Sequence, residues 1–97
     1  MTCHTRLYIT LAVELVNRLR APELQIRSAI RSGLRSYGVR LTSFEFDDTV
    51  VLIGAIGEDR DSETVKDIVF ESLTNRVAHT REIDIEIDSE VSVEFDI

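Results

Sequence analysis

The sequence has no tryptophan, one cysteine, one proline, and only two tyrosines and four phenylalanines. The lone thiol, Cys3, cannot form a disulfide within the chain, so nothing in the sequence indicates an oxidising compartment. The few aromatic residues offer little material for an aromatic-lined cleft. No apolar run approaches the roughly 20 residues that a membrane-spanning helix needs, and the first residues lack the charged-then-apolar order of a signal peptide. We therefore expect a cytoplasmic protein.

Metal-binding and nucleophilic patterns are also missing. The soft ligands are limited to Cys3, His4 and His79, whereas a closed zinc site needs four. None of the serines lies on a glycine-flanked turn, and no histidine is spaced to activate one. Acid–base pairs of carboxylates stay open because the chain has so many acids. We expect a non-enzymatic protein without a metal or a cofactor.

Two glycines, Gly54 and Gly57, precede a predicted helix, as the glycines of phosphate-binding loops do. The segment lacks both the Gly-Lys-Ser/Thr of a P-loop and the full dinucleotide fingerprint. The acids that follow, Glu58, Asp59 and Asp61, would repel a phosphate group. The sequence therefore disfavours a nucleotide site here.

Charge is divided unevenly along the chain. Residues 1–43 carry seven arginines against Glu14 and Glu23, a net charge of +5, and residues 44–97 carry sixteen acids against four bases, a net charge of −12. This asymmetry predicts a dipolar surface, or basic and acidic faces that meet within one molecule or between copies.

The first apolar stretch fits two structures. From Arg6 to Val16 every odd position is apolar, which predicts a strand. Residues 11–20 also contain good helix formers, and a helix there would place Leu11, Leu15 and Leu19 on one stripe. The sequence leaves residues 11–20 open between strand and helix.

Two amphipathic helices are predicted. Pro22 suits a first helical turn and Gly38 a C-terminal stop, so the first helix runs from Pro22 to Tyr37. Asp61 or Ser62 caps a second helix that runs to about Ala78. The apolar positions expected to face the core are Ile26, Ala29, Ile30, Gly33, Leu34 and Tyr37 in the first helix and Val65, Ile68, Val69, Leu73 and Val77 or Ala78 in the second.

A basic stripe accompanies the first helix. Arg27, Arg31 and Arg35 are four residues apart and therefore share one flank. The stripe either holds phosphates or a partner's carboxylates, or it is only the solvated flank of an amphipathic helix. No aromatic residues lie among the arginines, which argues against single-stranded nucleic acid. With the negative net charge, direct nucleic-acid binding is the least favoured function.

A β-hairpin is predicted between the two helices. Val39 to Asp47 and Thr49 to Ile56 are rich in β-branched and aromatic residues and are joined by a tight acidic turn. The inward phase switches between Leu41 and Phe44, which predicts a β-bulge near Thr42-Ser43.

The C-terminal stretch, residues 81–97, alternates with a period of two. Only an extended chain sends alternate side chains to opposite faces, so this is one long strand, or a hairpin that turns at residues 88–90. The acidic positions, which we predict as a partner-binding face, are Glu82, Asp84, Glu86, Asp88, Glu90, Glu94 and Asp96. The apolar positions beyond an average strand length, which we predict to mediate self-association, are Val91, Val93, Phe95 and Ile97.

The acidic face has several competing explanations. Neighbouring carboxylates about 6.7 Å apart cost on the order of 0.6 kcal/mol per pair in water, so repulsion alone does not require a partner. The face can simply discourage edge-to-edge aggregation. Calcium or magnesium binding is disfavoured because a straight strand spaces its acids too widely. Mimicry of nucleic acid stays open, although the row offers only about a quarter of the charge density of duplex DNA.

The predicted order, strand–helix–strand–strand–helix–strand, matches the ferredoxin-like βαββαβ sandwich, in which two helices cover one face of an antiparallel sheet. We expect one α+β domain over residues 1–97, with a core of about 5–88 and a β-extension of about 89–97. Because this fold hosts many unrelated functions, the functional prediction depends on the acidic stretch. We expect a homo-oligomeric interaction protein that presents carboxylates to a basic protein partner, in one version as a phage-type mimic of nucleic acid. The alternative is a small-molecule-binding regulatory domain.

Overall fold

In a computed structural model, which describes residues 2–93, the chain forms one antiparallel four-stranded sheet and three α-helices. In chain order these are β1 (Thr2–Leu11), α1 (Val13–Arg18), α2 (Pro22–Ser36), β2 (Arg40–Asp47), β3 (Val50–Glu58), α3 (Ser62–Arg76) and β4 (Ile83–Val93), with a 3-10 turn at Thr80–Glu82. The strands lie in the order β2-β3-β1-β4. The central strands are therefore β1 and β3, and β2 and β4 lie at the two edges.

The core lies between the helices and one face of the sheet. Along β1 buried and exposed side chains alternate, because one face is covered by helices and the other is not. Helix α2 packs against β2 and α3, and α3 packs against β1 and β4. We call the uncovered side the open face; the exposed residues of β1 that define it are His4, Arg6, Tyr8 and Thr10.

Of the two structures left open for residues 11–20, the helix is the one found, over Val13–Arg18, and the strand ends at Leu11. The Ala12 N–H donates to the Glu82 carbonyl (2.7 Å), which continues the pairing of β1 with β4 by one residue, and α1 follows. Val13 is 58% exposed, whereas Leu15 is fully buried. A strand would have turned Val13 and Leu15 to the same buried face. The burial of Leu15 alone therefore agrees with a helix in this segment.

Both long helices were predicted close to their observed limits. In α2 the predicted inward residues are buried except Tyr37, which is exposed because it lies at the C-cap, beyond the last turn. In α3 the predicted stripe is buried from Val65 to Leu73. The α3 N-terminus is capped by Asp61, whose carboxylate accepts a hydrogen bond from the Thr64 N–H (2.8 Å).

The hairpin and its bulge are confirmed. β2 pairs with β3, and the register shifts between Leu41 and Ser43, which leaves Thr42 as the extra residue. Asp48 adopts a positive φ of 59° in the connecting turn. β3 is longer than predicted and includes Gly54 and Gly57 as buried strand residues. These glycines therefore do not form a loop before α3.

The C-terminal stretch is a single strand as far as the structure describes it. β4 pairs with β1 along its whole length, from Ile83 opposite Leu11 to Val93 opposite Thr2. This pairing includes residues 89–93, since β1 begins at Thr2 and offers them a partner. The predicted functional residues that lie outside the described side chains are Val93, Glu94, Phe95, Asp96 and Ile97.

Candidate functional site

Four acidic residues of β4 lie along one edge of the sheet. β4 pairs with β1 on one side, and its outer side has no partner strand among residues 2–93. Asp84, Glu86, Asp88 and Glu90 are all exposed, and none forms an ion pair with another described residue. We call these four residues the acidic edge. Both its carboxylates and its outer backbone are accessible to another molecule.

A β-bulge interrupts this strand. Ile87 lies opposite Leu7, and the next pair is Ser89 with Arg6, so Asp88 has no opposing residue. The extra residue reverses the alternation of all the residues that follow it in β4.

The end of β4 therefore faces the other way. Val91 lies opposite the exposed His4, on the open face, whereas Glu90 lies opposite the buried Thr5, on the helix side. The prediction of one continuous carboxylate face and one continuous apolar face is thus wrong within the described part of β4. A bulge depends on which strand lies alongside, and the period of the sequence alone does not reveal it.

The acidic edge continues onto the loop between β3 and α3. A groove of about 330 Å³ is lined by Cys3, Asp59, Arg60, Asp61, Glu90 and Ser92. The Arg60 guanidinium donates to the Tyr37 carbonyl (3.2 Å) and lies over the Tyr37 ring (5.5 Å). Hydrogen bonds from Thr64 hold the pKa of Asp61 below its usual value. The bulge thus brings Glu90 to a second group of carboxylates.

Glu82 has an intramolecular role instead. It lies in the 3-10 turn, accepts two hydrogen bonds from the Arg18 guanidinium (2.6 and 2.7 Å) and one from the His79 N–H (2.8 Å). These hydrogen bonds hold the pKa of Glu82 at about 2. The pair ties α1 to the start of β4, so we leave Glu82 out of the acidic edge.

The open face carries four partly exposed apolar side chains, which we call the apolar strip, with His4, Arg6 and Ser89 lying among them. Val91 is 56% exposed and Tyr8 is 38% exposed. On β3, Leu52 lies opposite Tyr8 and Ile56 lies opposite His4, and both are half-buried. Of the residues predicted to mediate self-association, Val91 is the one whose side chain is described, and it lies in this strip.

A shallow depression of about 340 Å³ lies on the open face at Gly54. Both bulges flank it, and its polar walls include Arg6, Thr42, Ser43 and Ser89. A Cβ added at Gly54 would lie 2.6 Å from Ser43 Oγ and 2.9 Å from Thr42 Oγ1. The missing side chain therefore allows the two hydroxyls to lean over β3. Sequence reasoning missed this site because its residues come from four strands.

The predicted basic stripe lies on the other side of the molecule, where α2 packs on the edge strand β2. Its three arginines do not line one common surface feature. The Arg27 guanidinium lies over the Phe44 ring, 5.9 Å from the centroid. Arg31 and Arg35 instead line a groove together with Arg40 of β2, a residue that the helical spacing gave no reason to include.

Cys3 belongs to a buried polar cluster. Its Sγ lies 3.7 Å from Thr5 Oγ1 and 4.0 Å from Ser62 Oγ, and the two hydroxyl oxygens are 2.9 Å apart. All three side chains are buried. The hydrogen bond joins β1 to the first turn of α3, so the cluster has a structural explanation.

Nowhere in residues 2–93 do three or more histidine, cysteine or acidic side chains come together as metal ligands. None of the described helices is both long and apolar enough to cross a membrane. Comparisons with protein-family models, with curated proteins and with solved structures found no significant match to this chain.

Proposed function

We propose that the protein is a non-enzymatic interaction protein that presents the acidic edge to a basic protein partner and self-associates through the C-terminal part of β4. The observation that carries the proposal is the position of β4 at the edge of the sheet, with four exposed carboxylates that no described residue neutralises. Repulsion along the strand is on the order of 0.6 kcal/mol per neighbouring pair before screening, which the fold tolerates. A basic partner would relieve it and would be steered to this edge.

In its sharper form, the proposal makes the acidic edge a mimic of nucleic acid. The strand alone offers about a quarter of the charge density of duplex DNA. Asp61 beside Glu90 adds a carboxylate where the bulge turns the strand. This addition favours the mimic version, because a straight row of acids on one strand is too sparse.

Self-association is proposed to use the open face. Direct pairing of two copies of β4 would bring their carboxylates opposite each other, which is unfavourable. The strip of Tyr8, Leu52, Ile56 and Val91 is partly exposed, and a second copy placed face to face would cover it, with Asp84 and Glu86, which lie opposite Thr10 and Tyr8 on the same face, left at the rim of the contact.

We also propose that the fold is the ferredoxin-like βαββαβ sandwich with α1 as an addition. The strand order β2-β3-β1-β4 and the connections through α2 and α3 support this assignment. We place the protein in the cytoplasm, where a buried, unpaired thiol such as Cys3 stays reduced.

The partner surface is tested with two charge-matched variants. Asp84→Asn/Glu86→Gln/Glu90→Gln neutralises three of the four residues of the acidic edge, and Glu14→Gln/Asp67→Asn/Glu71→Gln neutralises three exposed acids on the helices. Used as baits in a cell extract, the wild type and the helix variant should capture the same basic protein, and the edge variant should lose it. Equal loss with both variants would mean that only net charge matters, which contradicts the proposal.

The mimic version has its own test. Binding of the captured partner should weaken steeply as salt rises, and duplex DNA should displace it. Binding that persists at several hundred millimolar salt would exclude mimicry while leaving the acidic edge as an interaction surface.

Self-association is tested by the same substitution at two positions. Val91→Thr removes the exposed apolar group from the open face, and Val13→Thr does so on α1 at nearly equal exposure. Light scattering should show an oligomer for the wild type and for Val13→Thr, and a smaller species for Val91→Thr. An oligomer of unchanged mass in both variants would remove Val91 from the interface.

The second candidate is a small-molecule-binding regulatory domain, favoured by the depression at Gly54. Its polar lining includes the guanidinium of Arg6, the carboxylate of Glu45, the imidazole of His4 and three exposed or half-buried hydroxyls around a floor without a side chain, a mix of polar groups that a small-molecule site can use. Gly54→Ala would fill it while pushing only the ends of exposed Ser43 and Thr42. A metabolite that raises the melting temperature of the wild type and not of Gly54→Ala would support this candidate, and a screen without any shift would count against it.

A further inference from the structure

Three arginines from two elements line a single groove. Arg31 and Arg35 are one helical turn apart on α2, and Arg40 is the first residue of β2. Between them, Gly38 has a positive φ of 73°, its N–H donates to the Arg35 carbonyl (3.1 Å), and the Val39 N–H donates to the Leu34 carbonyl (2.9 Å). This is the Schellman arrangement, which reverses the chain at the helix end. The turn therefore brings the start of β2 beside the last turns of α2, and Arg40, which lies opposite Ile56 in the sheet, lines the β2 side of the groove.

No described residue neutralises these guanidinium groups. None of the three makes an ion pair or a side-chain hydrogen bond within residues 2–93, and no acid is among the groove's lining residues. By contrast, Arg18 pairs with Glu82, and Arg60 bonds and stacks on Tyr37. Other described arginines, such as Arg20, Arg76 and Arg81, also lack a described partner, so what distinguishes Arg31, Arg35 and Arg40 is that they line one groove without an acid among its lining residues.

The helix dipole explains only part of this cluster. A helix C-terminus carries roughly half a negative charge, which favours one cation in the last turn. Arg35 fits that role. Arg40 lies beyond the helix, and three full positive charges exceed the dipole several times over. The groove is therefore electropositive despite the acidic composition of the protein.

We propose that this groove binds a small, multiply charged phosphate compound. Guanidinium groups offer paired N–H donors that match two oxygens of a phosphate, and three of them suit a polyphosphate better than a single carboxylate. The groove encloses about 530 Å³, within the range of small-molecule sites. Val39 and Leu41 supply an apolar part of the wall that suits the organic portion of a phosphate ester. The site is separate from the acidic edge and does not depend on the function proposed for it.

The probe is tripolyphosphate, with adenosine triphosphate as a second probe of similar charge. Binding to the full chain is measured by calorimetry at about 0.15 M ionic strength. The groove variant is Arg31→Gln/Arg35→Gln/Arg40→Gln, and the matched control is Arg20→Gln/Arg76→Gln/Arg81→Gln, which removes three exposed arginines elsewhere without a described partner. Arg40→Gln alone serves if the triple variant does not fold.

Tripolyphosphate should bind the wild type and the control with equal affinity, and the groove variant at least about tenfold more weakly. Arg31→Lys/Arg35→Lys/Arg40→Lys should fall between them because it keeps the charge and loses the paired donors. Tighter binding of adenosine triphosphate than of tripolyphosphate would assign the apolar wall to the organic portion, and equal binding would assign the site to the phosphates alone. No binding to the wild type, or equal weakening in the groove and control variants, would overturn the proposal.

Discussion

The contact between α2 and α3 at Gly33 gives the most direct test of the packing. Gly33 and Ser72 are both buried, and a Cβ added at Gly33 would lie 1.6 Å from Ser72 Oγ and 2.5 Å from Ser72 Cβ. Rotating the serine hydroxyl would relieve the first overlap and would break its hydrogen bond to the Ile68 carbonyl (2.6 Å). It would not relieve the second. Gly33→Ala therefore forces the two helices apart.

Two effects of this substitution oppose each other. Alanine in a helix interior is more favourable than glycine by about 1 kcal/mol. Overpacking typically costs about 1–3 kcal/mol, and this overlap is severe because carbon atoms prefer separations of about 3.5–4.0 Å. We expect a net loss of about 1–2 kcal/mol, which in a domain of this size lowers the melting temperature by about 4–16 °C.

The assay is urea and thermal unfolding followed by circular dichroism. The set is Gly33→Ala, Ser72→Gly, the double variant, and Ser28→Ala as an exposed control on α2. The double variant should be more stable than the sum of its parts, because the nearest remaining Ser72 atom, its Cα, lies 3.7 Å from the new methyl group. If Gly33→Ala matches or exceeds the wild type in stability, the close approach of the helices is refuted.

Two further predictions concern the local anchors. Glu82→Gln should flatten the acid dependence of stability, because a carboxyl whose pKa is about 2 when folded and 4.5 ordinarily stabilises the fold above pH 4.5 and loses that contribution as the pH falls toward 2. Urea midpoints at neutral and acidic pH check this, with Glu86→Gln as the control without a described partner; an unchanged pH dependence would contradict it. Asp61→Ala should lower the melting temperature and Asp61→Asn much less, since asparagine also caps helices. Equal losses would argue against the cap.

Local patterns were enough to predict most elements. Pro22 and Gly38 mark the ends of α2, and the apolar spacing of residues 65–73 identifies the buried side of α3. The bulge at Thr42 could be predicted because aromatic residues follow it and make the switch of phase visible. In these cases the residues that decide the structure are neighbours in sequence.

The sequence was insufficient where residues far apart in the chain determine the local structure. The sequence left residues 11–20 open between strand and helix, and the helix found there buries Leu15 in the core, among residues distant in sequence. The bulge at Asp88 is hidden because alternation in the sequence continues while the pairing with β1 shifts. Arg40 and Arg31 line the same groove because a turn lies between them. Helical spacing applies only within α2, so it does not predict this grouping. The candidate sites therefore depend on tertiary proximity to a greater degree than the helices do.

The two charged surfaces lie at opposite edges of the sheet, and this separation makes a final prediction. Three inter-strand steps of about 4.8 Å place β2 and β4 about 14 Å apart. The Debye length is about 8 Å at 0.15 M salt and about 30 Å at 0.01 M. Neutralising Asp84, Glu86 and Glu90 should therefore leave tripolyphosphate binding unchanged at 0.15 M salt and strengthen it at 0.01 M, where the acids still repel the anion. Calorimetry at the two salt concentrations decides this, and an equal change at both would mean that the acidic edge and the arginine groove are not electrostatically separate.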